Sequence, residues 1–450
     1  MPNIFHVIKD PVHGTMQFNS KENSWIKPFI DSVNFQRLRH IKQLGLADWI
    51  FPGATHSRFS HGLGCCYIVS QICNKLGISD NDKQLVMIAG LLHDIGHGPF
   101  SHLFEAIFTD HSIQHEMWTP LFLEEFSRKE FLDAYNERNK KHPLTKKKID
   151  QIRDLITHRC KINKLLSDIV SSQLDADRLD YLLRDSHFCG VTYGNYEFRW
   201  LLHCLTIVES DSQKALGVTR KGVGVVEEYL MARRLMIRNV YQHGKKSGAE
   251  FFMQEFLKQL AQGILDQKLF SQLKENALIQ FLRKMSEFNQ TIKSSKNRER
   301  AINQYLKDNY SLYQQLCDYD VFELIRELAG WKDQHQAVIL AKRLHERCLP
   351  KVIPLDVDKI ERARALIDGF KGKIFQWQLA IINLPHLSYE LLKDPILVQE
   401  STGAIKYLHE ESLMIGALSD KNEDHYLVCL DQPLLATKAG EKLYNALRNL

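Results

Sequence analysis

The segment AGLLHDIGHGPFSH, residues 89–102, concentrates side chains that can bind a metal or carry a proton. Four of them lie within ten residues: His93, Asp94, His97 and His102. Imidazoles mixed with a carboxylate suit Fe, Mn, Zn, Co or Ni better than Ca. Such an ion lowers the pKa of water and polarises a phosphoryl oxygen, and histidines that are not ligands can act as acid or base near neutral pH. Together with His61 before the segment and Asp177 after it, the pattern favours metal-dependent phosphoester hydrolysis.

The alternative is that these are structural histidines at the end of a buried helix, the usual explanation of a lone histidine. His93 and His97 are four residues apart and would share one face if a helix continued through them. Gly96, Gly98 and Pro99, however, are costly inside a helix. They fit a backbone that bends past a ligand, so the cluster as a whole favours a ligand site.

Composition indicates a soluble globular protein. The chain has 450 residues, of which 44% are hydrophobic and 25% charged. A net charge of +5 suits a polyanionic ligand such as a triphosphate but is too small to indicate nucleic-acid binding by itself. Nine cysteines without a CxxC pair are typical of reduced thiols, which predicts a cytoplasmic protein. No signal-peptide pattern and no apolar run near 18 residues occur, so no membrane span is expected.

Helices are the elements expected to position the cluster. IFHVIKDPVHGTMQF predicts two short strands around a Pro/Gly turn. From there on, apolar residues recur mostly at helical spacing. SVNFQRLRHIKQLG predicts a helix ended by Gly45, and HGLGCCYIVSQICNKLG predicts a helix ended by Gly77. YDVFELIRELAGW and QAVILAKRLHERCL predict two more.

The helix that carries the cluster is predicted over SDNDKQLVMIAGLLHDIGHG. Ser79 and Asp80 are its capping candidates, and Gly98-Pro99 is its expected end. Two polar runs, 137–148 and 293–300, are expected to join helices as solvated loops.

The expected fold is mainly α, with a helical core, a short N-terminal β-hairpin and a small α+β C-terminal lobe. Beyond Pro354 the segments KYLHEESLMIGAL and HYLVCL predict strands. The predicted domains are a core over 1–250, a helical extension over 251–354 and the α+β lobe over 355–450.

The order of the candidate ligands resembles the HD-domain phosphohydrolase superfamily, and in particular its dNTP triphosphohydrolase branch. The matching strings are SRFSHGLG with His61, LLHDIGHG with His93 and Asp94, and LDADRLDYLLRDS with Asp177. The similarity extends from about residue 6 to 246 and, more weakly, over about 320–355. It implies an HD-domain helical core. It also implies that these four residues ligate a divalent transition metal (Fe, Mn, Zn, Ni or Co), with Mg²⁺ as a further candidate.

The resemblance also implies the proton-transfer residues. The catalytic histidine of the family falls on His102, and its supporting residues fall on His97, Glu105 and His115. The family often has Asp where this chain has Glu105, so the carboxylate is retained on a longer side chain.

A nucleotide pocket is implied by further matches. The phosphate-contacting positions fall on Arg58, Arg178 and Arg233, where guanidinium groups offer bidentate contacts. The positions that surround the deoxyribose fall on Gln43, Leu44, Tyr181, Asp185 and Tyr241. An aromatic wall can exclude a 2′-hydroxyl, and a carboxylate can accept from the 3′-hydroxyl. The alternative for Tyr241 alone is a core aromatic.

A regulatory site between subunits is implied in the same way. Asp31, Gln36 and Arg39 match guanine-reading residues of that site, and Arg347 and Lys351 match its basic residues. The expected activator is GTP or a dNTP, and the expected assembly is a homo-oligomer, a tetramer or a dimer. The alternative is that Gln36 and Arg39 form an ordinary helix surface.

The expected activity is hydrolysis of a dNTP to a deoxynucleoside and inorganic triphosphate. Two alternatives stay open. One is an HD-domain phosphohydrolase that acts on another phosphoester, such as a dNMP or a nucleic-acid end, although the arginines favour a triphosphate. The other is a nucleotide-sensing or nucleic-acid-binding protein with reduced activity, which the basic run Lys146–Lys148 supports only weakly.

Overall fold

Helices form most of the chain, and the sheets are small, as predicted. The computed structural model describes residues 6–18, 23–108, 112–158, 163–210, 213–265, 272–292, 297–384, 394–418 and 425–450. The helices are α1 (Lys27–Ile30), α2 (Val33–Arg37), α3 (Arg58–Leu76), α4 (Asp80–Leu92), α5 (His102–Glu105), α6 (His115–Glu124), α7 (Lys129–Arg138), α8 (Lys146–Ile156), α9 (Lys164–Val170), α10 (Ala176–Cys189), α11 (Phe198–Cys204), α12 (Val223–Met236), α13 (Gly244–Leu265), α14 (Ala277–Ile292), α15 (Arg298–Tyr313), α16 (Asp318–Ala329), α17 (Gln336–His345), α18 (Ile360–Asp368), α19 (Leu408–Glu411), α20 (Leu413–Leu418), α21 (Gln432–Leu435) and α22 (Lys438–Arg448).

Within the described residues, three separate sheets accompany these helices. The strands are β1 (His6–Asp10), β2 (Gly14–Phe18), β3 (Leu205–Ser210), β4 (Gln213–Thr219), β5 (Lys351–Leu355), β6 (Leu379–Leu384), β7 (Leu397–Gln399), β8 (Ile405–Tyr407) and β9 (His425–Leu430). The first two form the predicted antiparallel hairpin, in which Asp10 pairs with Gly14. The other sheets have the orders β3-β4-β7-β8 and β5-β9-β6.

The centre of the main core is where α3 packs against α4 and α10. Val69, Ile88 and Leu179 are fully buried there. The predicted boundaries of α3 and α4 are confirmed at their shared turn. Gly77 ends α3 in the left-handed conformation with φ of 65°, and the Ser79 hydroxyl caps α4 by accepting from the backbone of the first turn.

The predicted end of α4 is wrong. The helix stops at Leu92, and the chain passes through a turn from His93 to His97 instead of continuing to Gly98-Pro99. His93 and His97 therefore do not share a helix face. The turn is fixed by contacts with distant side chains, which periodicity in the local sequence does not report.

The helix predicted to end at Gly45 is also too long. α2 ends at Arg37, one 3₁₀ turn follows, and Ile41 is extended. Lys42 then forms a bridge with Ser57, and the Gln43 N–H donates to the carbonyl of His56 at 3.0 Å. Pairing with this distant segment replaces the last turns of the predicted helix.

The polar runs differ in part from the predicted loops. Residues 139–145 are non-helical, but Lys146–Lys148 form the first turn of α8, which the Thr145 hydroxyl caps. Of the second run, 293–296 lie outside the described residues, and Arg298 begins α15.

The C-terminal lobe is built around β5, β9 and β6, whose apolar residues form a core of their own with α18 and α22. HYLVCL is strand β9, as predicted. The strand predicted for KYLHEESLMIGAL is wrong after Tyr407, because the chain forms α19 and α20 there. β7 pairs in parallel with β4 and joins the two parts of the chain. The predicted domain boundaries stay a prediction.

Two further features concern the described residues as a set. The cysteines among them, eight in number, are free thiols. No helix within the described residues is both long enough and apolar enough to pass through a membrane.

Candidate active site

The turn between His93 and His97 is held from behind by two side chains. The buried Arg37 guanidinium donates to the carbonyls of Ile95 at 2.9 Å and His97 at 2.7 Å. The Tyr313 hydroxyl donates to the carbonyl of Gly96 at 2.8 Å. These bonds satisfy carbonyls of a turn that lies beyond the end of α4. They also fix the direction in which the turn presents its imidazoles.

The four candidate metal ligands converge at one point. The Nε2 atom of His61 lies 3.0 Å from Asp177 Oδ1 and 3.7 Å from Asp94 Oδ2. The Nε2 atom of His93 lies 3.4 Å from Asp94 Oδ1 and 3.6 Å from Asp177 Oδ1. Ligands bonded at about 2.1 Å to one ion lie about 3.0–3.4 Å from one another. The observed spacing therefore fits a set of donors around a single divalent cation.

The orientation of the imidazoles fits a metal as well. His93 Nδ1 donates to the carbonyl of Gly90 at 2.9 Å, while its Nε2 is buried without a hydrogen-bond partner. His61 Nδ1 donates to Asp180 at 2.8 Å. A metal-ligating histidine usually has its other nitrogen bonded in this way. Both Nε2 atoms thus face the carboxylates of Asp94 and Asp177.

Cys65 is a further nearby donor that the sequence analysis did not single out. Its sulfur shares a group with His61, His93 and Asp177 in which the ligand atoms lie within 4.8 Å of one another. It lies 3.5 Å from both ring nitrogens of His61, and thus against the ring. Burial raises the pKa of the Cys65 thiol, which opposes its use as a thiolate ligand. Asp94, already ionised beside Arg58, is the better fourth ligand.

Asp180 is the centre of a buried network behind His61. It accepts from His13 Nε2 at 2.6 Å and from Arg184 Nε at 2.8 Å. Arg184 also donates to Asp10 of β1 at 2.8 Å. The N-terminal hairpin thus contributes Asp10 and His13 to the support of a candidate ligand. Only glycine fits at position 64, since a Cβ there would lie 1.9 Å from Asp180 Oδ1.

The four predicted proton-transfer residues form a second cluster. One nitrogen or carboxylate oxygen from each lies within 4.8 Å of the others. Glu105 Oε1 accepts from His115 Nδ1 at 2.7 Å and from His102 Nδ1 at 3.2 Å. The rings of His97 and His115 stack with centroids 3.6 Å apart. His102 is the member that projects outward, with 69% of its side chain exposed.

Electrostatics gives these groups different charge states. Burial raises the pKa of Glu105, but hydrogen bonds from His102 and His115 outweigh it and lower the value to about 2. Burial lowers the pKa of His97, and the neighbouring Arg58 and His115 lower it further. Glu105 is therefore an anion, while His97 is neutral.

Two of the three predicted phosphate-binding arginines line the cavity. Arg58 donates from Nε to the Ser101 hydroxyl at 2.6 Å and forms an ion pair with Asp94. Arg178 pairs with Asp175. Arg233 is not among the lining residues; it donates to the side chain of Gln173 at 2.8 Å.

All five predicted sugar-contacting residues line one cavity of about 590 Å³. Three of the candidate metal ligands (His93, Asp94 and Asp177) and three of the predicted proton-transfer residues (His97, His102 and His115) line the same cavity. Asp185 and Tyr241 are joined directly, because the tyrosine hydroxyl donates to Asp185 Oδ2 at 2.7 Å. The Tyr181 ring meets that of Tyr241 edge to face at 6.1 Å. Gln43 and Leu44 lie in the non-helical segment after α2.

Sequence reasoning missed one wall of this cavity. Lys246, Glu250 and Gln254 of α13 line it, and Lys246 pairs with Glu250 at 2.7 Å. Their spacing of four residues places them on one helix face. This spacing was a usable signal, as was the spacing of Asp177, Asp180 and Arg184 on α10.

The predicted regulatory residues lie in two groups with different contacts. In the first, Arg39 donates to the Gln36 side chain at 2.7 Å, and its guanidinium lies 3.6 Å from the centroid of the Phe59 ring. Asp31 forms an ion pair with Lys27. In the second, Arg347 donates to the Trp49 carbonyl at 2.6 Å, and Lys351 lies 5.9 Å from the Tyr444 ring. Their regulatory role stays a prediction.

Comparison with known proteins agrees with this geometry. The family model for the HD domain matches residues 58–185, which include all four candidate metal ligands. The chain belongs to the HD-domain superfamily. Its HD domain comprises the region from the start of α3 to the middle of α10.

Relatives of similar sequence come from archaea, bacteria and animals. An uncharacterized protein of Methanocaldococcus jannaschii is 32% identical over 346 residues, which are 76% of this chain and 66% of the relative. The uncharacterized protein YwfO of Bacillus subtilis is 35% identical, over 56% of this chain and 55% of its own. The human deoxynucleoside triphosphate triphosphohydrolase SAMHD1 is 31% identical, over 53% of this chain and 42% of its own. The matches thus span less than two thirds of each of these relatives.

Solved structures share the fold over nearly the whole chain. A phosphohydrolase of Bacteroides thetaiotaomicron superposes with a TM-score of 0.75 and 26% identity, and the match covers 95% of this chain and 100% of that one. A hypothetical protein of Aquifex aeolicus gives a TM-score of 0.69 at 26% identity, with coverage of 98% and 100%. The fold is therefore that of the HD phosphohydrolases.

Proposed function

We propose that this protein is a metal-dependent dNTP triphosphohydrolase that forms a deoxynucleoside and inorganic triphosphate. One observation carries the proposal. Three metal-ligand candidates, the exposed His102, two arginines and a tyrosine–aspartate pair all line one cavity of about 590 Å³. The similarity to animal dNTP triphosphohydrolases, about 30% identical over roughly half of this chain, supports the same substrate class.

The metal would be held by His61, His93, Asp94 and Asp177. Their two nitrogen and two carboxylate donors suit a divalent transition ion such as Fe, Mn, Zn, Ni or Co, with Mg²⁺ as a further candidate. When bound, the ion supplies Lewis-acid polarisation of a phosphoryl oxygen and a lowered pKa for water.

The protein side chains divide the remaining work of the reaction. Water forms a bond to the α-phosphorus, and the bond between that phosphorus and the 5′-oxygen breaks. His102 donates a proton to the departing 5′-oxygen, so that the deoxynucleoside leaves as a neutral alcohol. Glu105 accepts from His102 Nδ1, which orients the ring and leaves Nε2 as the nitrogen that faces the substrate. His97 and His115 hold this pair in place.

The arginines bind the triphosphate, and the Asp185 side of the cavity binds the sugar. Arg58 is buried and held by Ser101, so its position changes little when charge develops on the α-phosphate. Burial raises the pKa of Tyr181, and the nearby positive charges of Arg233 and Arg178 oppose that rise, so both arginines lie near this cavity residue. The ring of Tyr241 forms a wall against the sugar, and Asp185 accepts from its 3′-hydroxyl.

Activation at a second nucleotide site is part of the proposal. An activating GTP or dNTP would bind between the subunits of a dimer or tetramer, in contact with Asp31, Gln36, Arg39, Arg347 and Lys351. α2 also carries Arg37, which holds the turn of the metal site. Arg39→Ala should therefore abolish activation by a second nucleotide and leave metal content unchanged.

A substrate panel tests the proposed activity. Purified protein with Mn²⁺ or Mg²⁺ is incubated with each dNTP, alone and in pairs, and with rNTPs, dNMPs and a single-stranded oligonucleotide. We expect deoxynucleoside and triphosphate from dNTPs only, and none from Asp177→Asn. Turnover of dNMPs or the oligonucleotide in place of dNTPs would overturn the proposal in favour of another phosphoester, and inactivity of metal-loaded protein on every substrate would overturn it altogether.

A further inference from the structure

His56 is a buried histidine beside the sugar end of the cavity with no role in the chemistry above. Its side chain is 1% exposed. It precedes α3 and lies outside the HD-domain match, which begins at Arg58. A buried histidine needs hydrogen-bond partners or a reason to lack them, so its contacts are informative.

The imidazole of His56 is bonded to Asp185. Nε2 lies 2.8 Å from Asp185 Oδ1, and since an ionised carboxylate only accepts, Nε2 is the donor. The ring stacks on Phe188 with centroids 4.6 Å apart and an angle of 21°. Stacking on Phe188 fixes the plane of the His56 ring, and the hydrogen bond from Nε2 then fixes the position of the Asp185 carboxylate.

Asp185 is thereby held by two donors, one on each oxygen. Oδ1 accepts from His56, and Oδ2 accepts from the Tyr241 hydroxyl at 2.7 Å. A carboxylate has about four acceptor positions on its two oxygens. The two donors fill part of that capacity and leave further acceptor positions at fixed angles toward the cavity that Asp185 lines.

The backbone of His56 positions a second cavity residue. Its carbonyl accepts from the N–H of Gln43 at 3.0 Å. Gln43 follows the bridge between Lys42 and Ser57. One residue therefore fixes both the Asp185 carboxylate and the main chain at Gln43, which face the same cavity.

We propose that His56 is a positioning residue that orients Asp185 to accept the 3′-hydroxyl of the substrate, and that it thereby makes the enzyme selective for nucleotides that carry this hydroxyl. The inference rests on the proposed function, because it assumes that the sugar of a nucleotide lies against Asp185. His56 acts through Asp185 and does not contact the reacting atoms.

The test compares dNTPs with 2′,3′-dideoxynucleoside triphosphates, which lack the 3′-hydroxyl. A site built to bind a hydroxyl rejects an analogue without it, so the wild type should favour the dNTP by at least about 10-fold in kcat/KM. His56→Asn is polar but too short to reach Asp185, so it should lower kcat/KM for the dNTP, mainly through KM, with little effect on the dideoxy analogue. His56→Gln places a donor near the position of Nε2 and should restore the preference.

His187→Leu serves as the matched control, since its ring also contacts Phe188, at 5.3 Å, but is exposed. It should keep the preference of the wild type. Equal losses on both substrates in His56→Asn, or an unchanged preference, would overturn the inference while leaving the proposed function intact. Inactivity of the metal-loaded wild type on every dNTP would instead overturn the proposed function. If His56→Asn does not fold, His56→Gln alone tests the inference. It must retain the wild-type preference for the dNTP over the dideoxy analogue, and loss of that preference would overturn the inference.

Discussion

Nδ1 of His61 donates to Oδ2 of Asp180 at 2.8 Å, and this bond connects α3 to α10 behind the candidate metal site. It fixes the tautomer of His61, so that Nε2 is free to ligate. Asp180 is fully buried and is bonded to Arg184 as well. Asp180 therefore holds the His61 ring in the orientation that metal binding through Nε2 requires.

Asp180→Asn should lower the affinity for the metal by about 10- to 100-fold, the usual effect of removing the partner of a ligating histidine. Metal content after dialysis against a graded chelator series measures this. Asp150→Asn, on the exposed surface of α8, is the control and should match the wild type. Unchanged metal retention in folded Asp180→Asn protein would contradict the role of the Asp180 carboxylate as the support of the metal ligand His61.

The N-terminal hairpin should affect the metal through His13. His13→Ala removes the 2.6 Å bond to Asp180 and should weaken metal binding, although less than Asp180→Asn does because Arg184 remains. Lys9→Ala on the same hairpin removes only an exposed bond to Thr15. The same chelator series compares them, and equal retention in the two variants would refute a role for the hairpin.

His102→Ala should keep the metal and lose turnover by a factor of about 100 to 10,000, the contribution expected of a general acid. The side chain is exposed and outside the ligand set, so the melting temperature should stay near that of the wild type. His40→Ala, another exposed histidine, should retain full activity. Wild-type turnover of His102→Ala would remove this residue from the mechanism.

Asp318 should make stability depend on pH. Its carboxylate accepts from the N–H groups of Lys42 at 2.9 Å and Phe100 at 2.7 Å, but burial outweighs these bonds and raises its pKa to about 6. A carboxyl whose folded pKa exceeds the unfolded value binds its proton more tightly when folded. The stabilisation from protonated Asp318 is therefore fully present below about pH 4 and is lost as the pH rises to about 6. Over this range the free energy of unfolding falls by at most about 3 kcal/mol.

Asp318→Asn lacks this titration. In metal-free protein, the free energy of unfolding of the wild type relative to the variant should fall as the pH rises from 4.5 to 6.5. Urea denaturation at several pH values measures the difference. A difference that is constant over this range would contradict the raised pKa.

The features that were predicted correctly from the sequence are those that neighbouring residues determine. The caps at Gly77 and Ser79, the hairpin and the strand His425–Leu430 each follow from turn residues or from the pattern of apolar residues. The candidate ligands were found because their residue types are rare at such density and because their motifs resemble a known family.

The errors occur where distant contacts determine the backbone. α4 ends at Leu92 because Arg37 and Tyr313 bind the carbonyls of the following turn. Lys42 leaves the predicted helix because it pairs with Ser57. His13 and His56 were missed as supports for the same reason, since their partners Asp180 and Asp185 are more than 120 residues away.

The most direct test of the central claim is hydrolysis of a dNTP in H₂¹⁸O by metal-loaded protein, with mass analysis of both products. Attack of water on the α-phosphorus predicts one ¹⁸O atom in inorganic triphosphate and none in the deoxynucleoside. A dNMP with pyrophosphate, or ¹⁸O in the deoxynucleoside, would contradict the account.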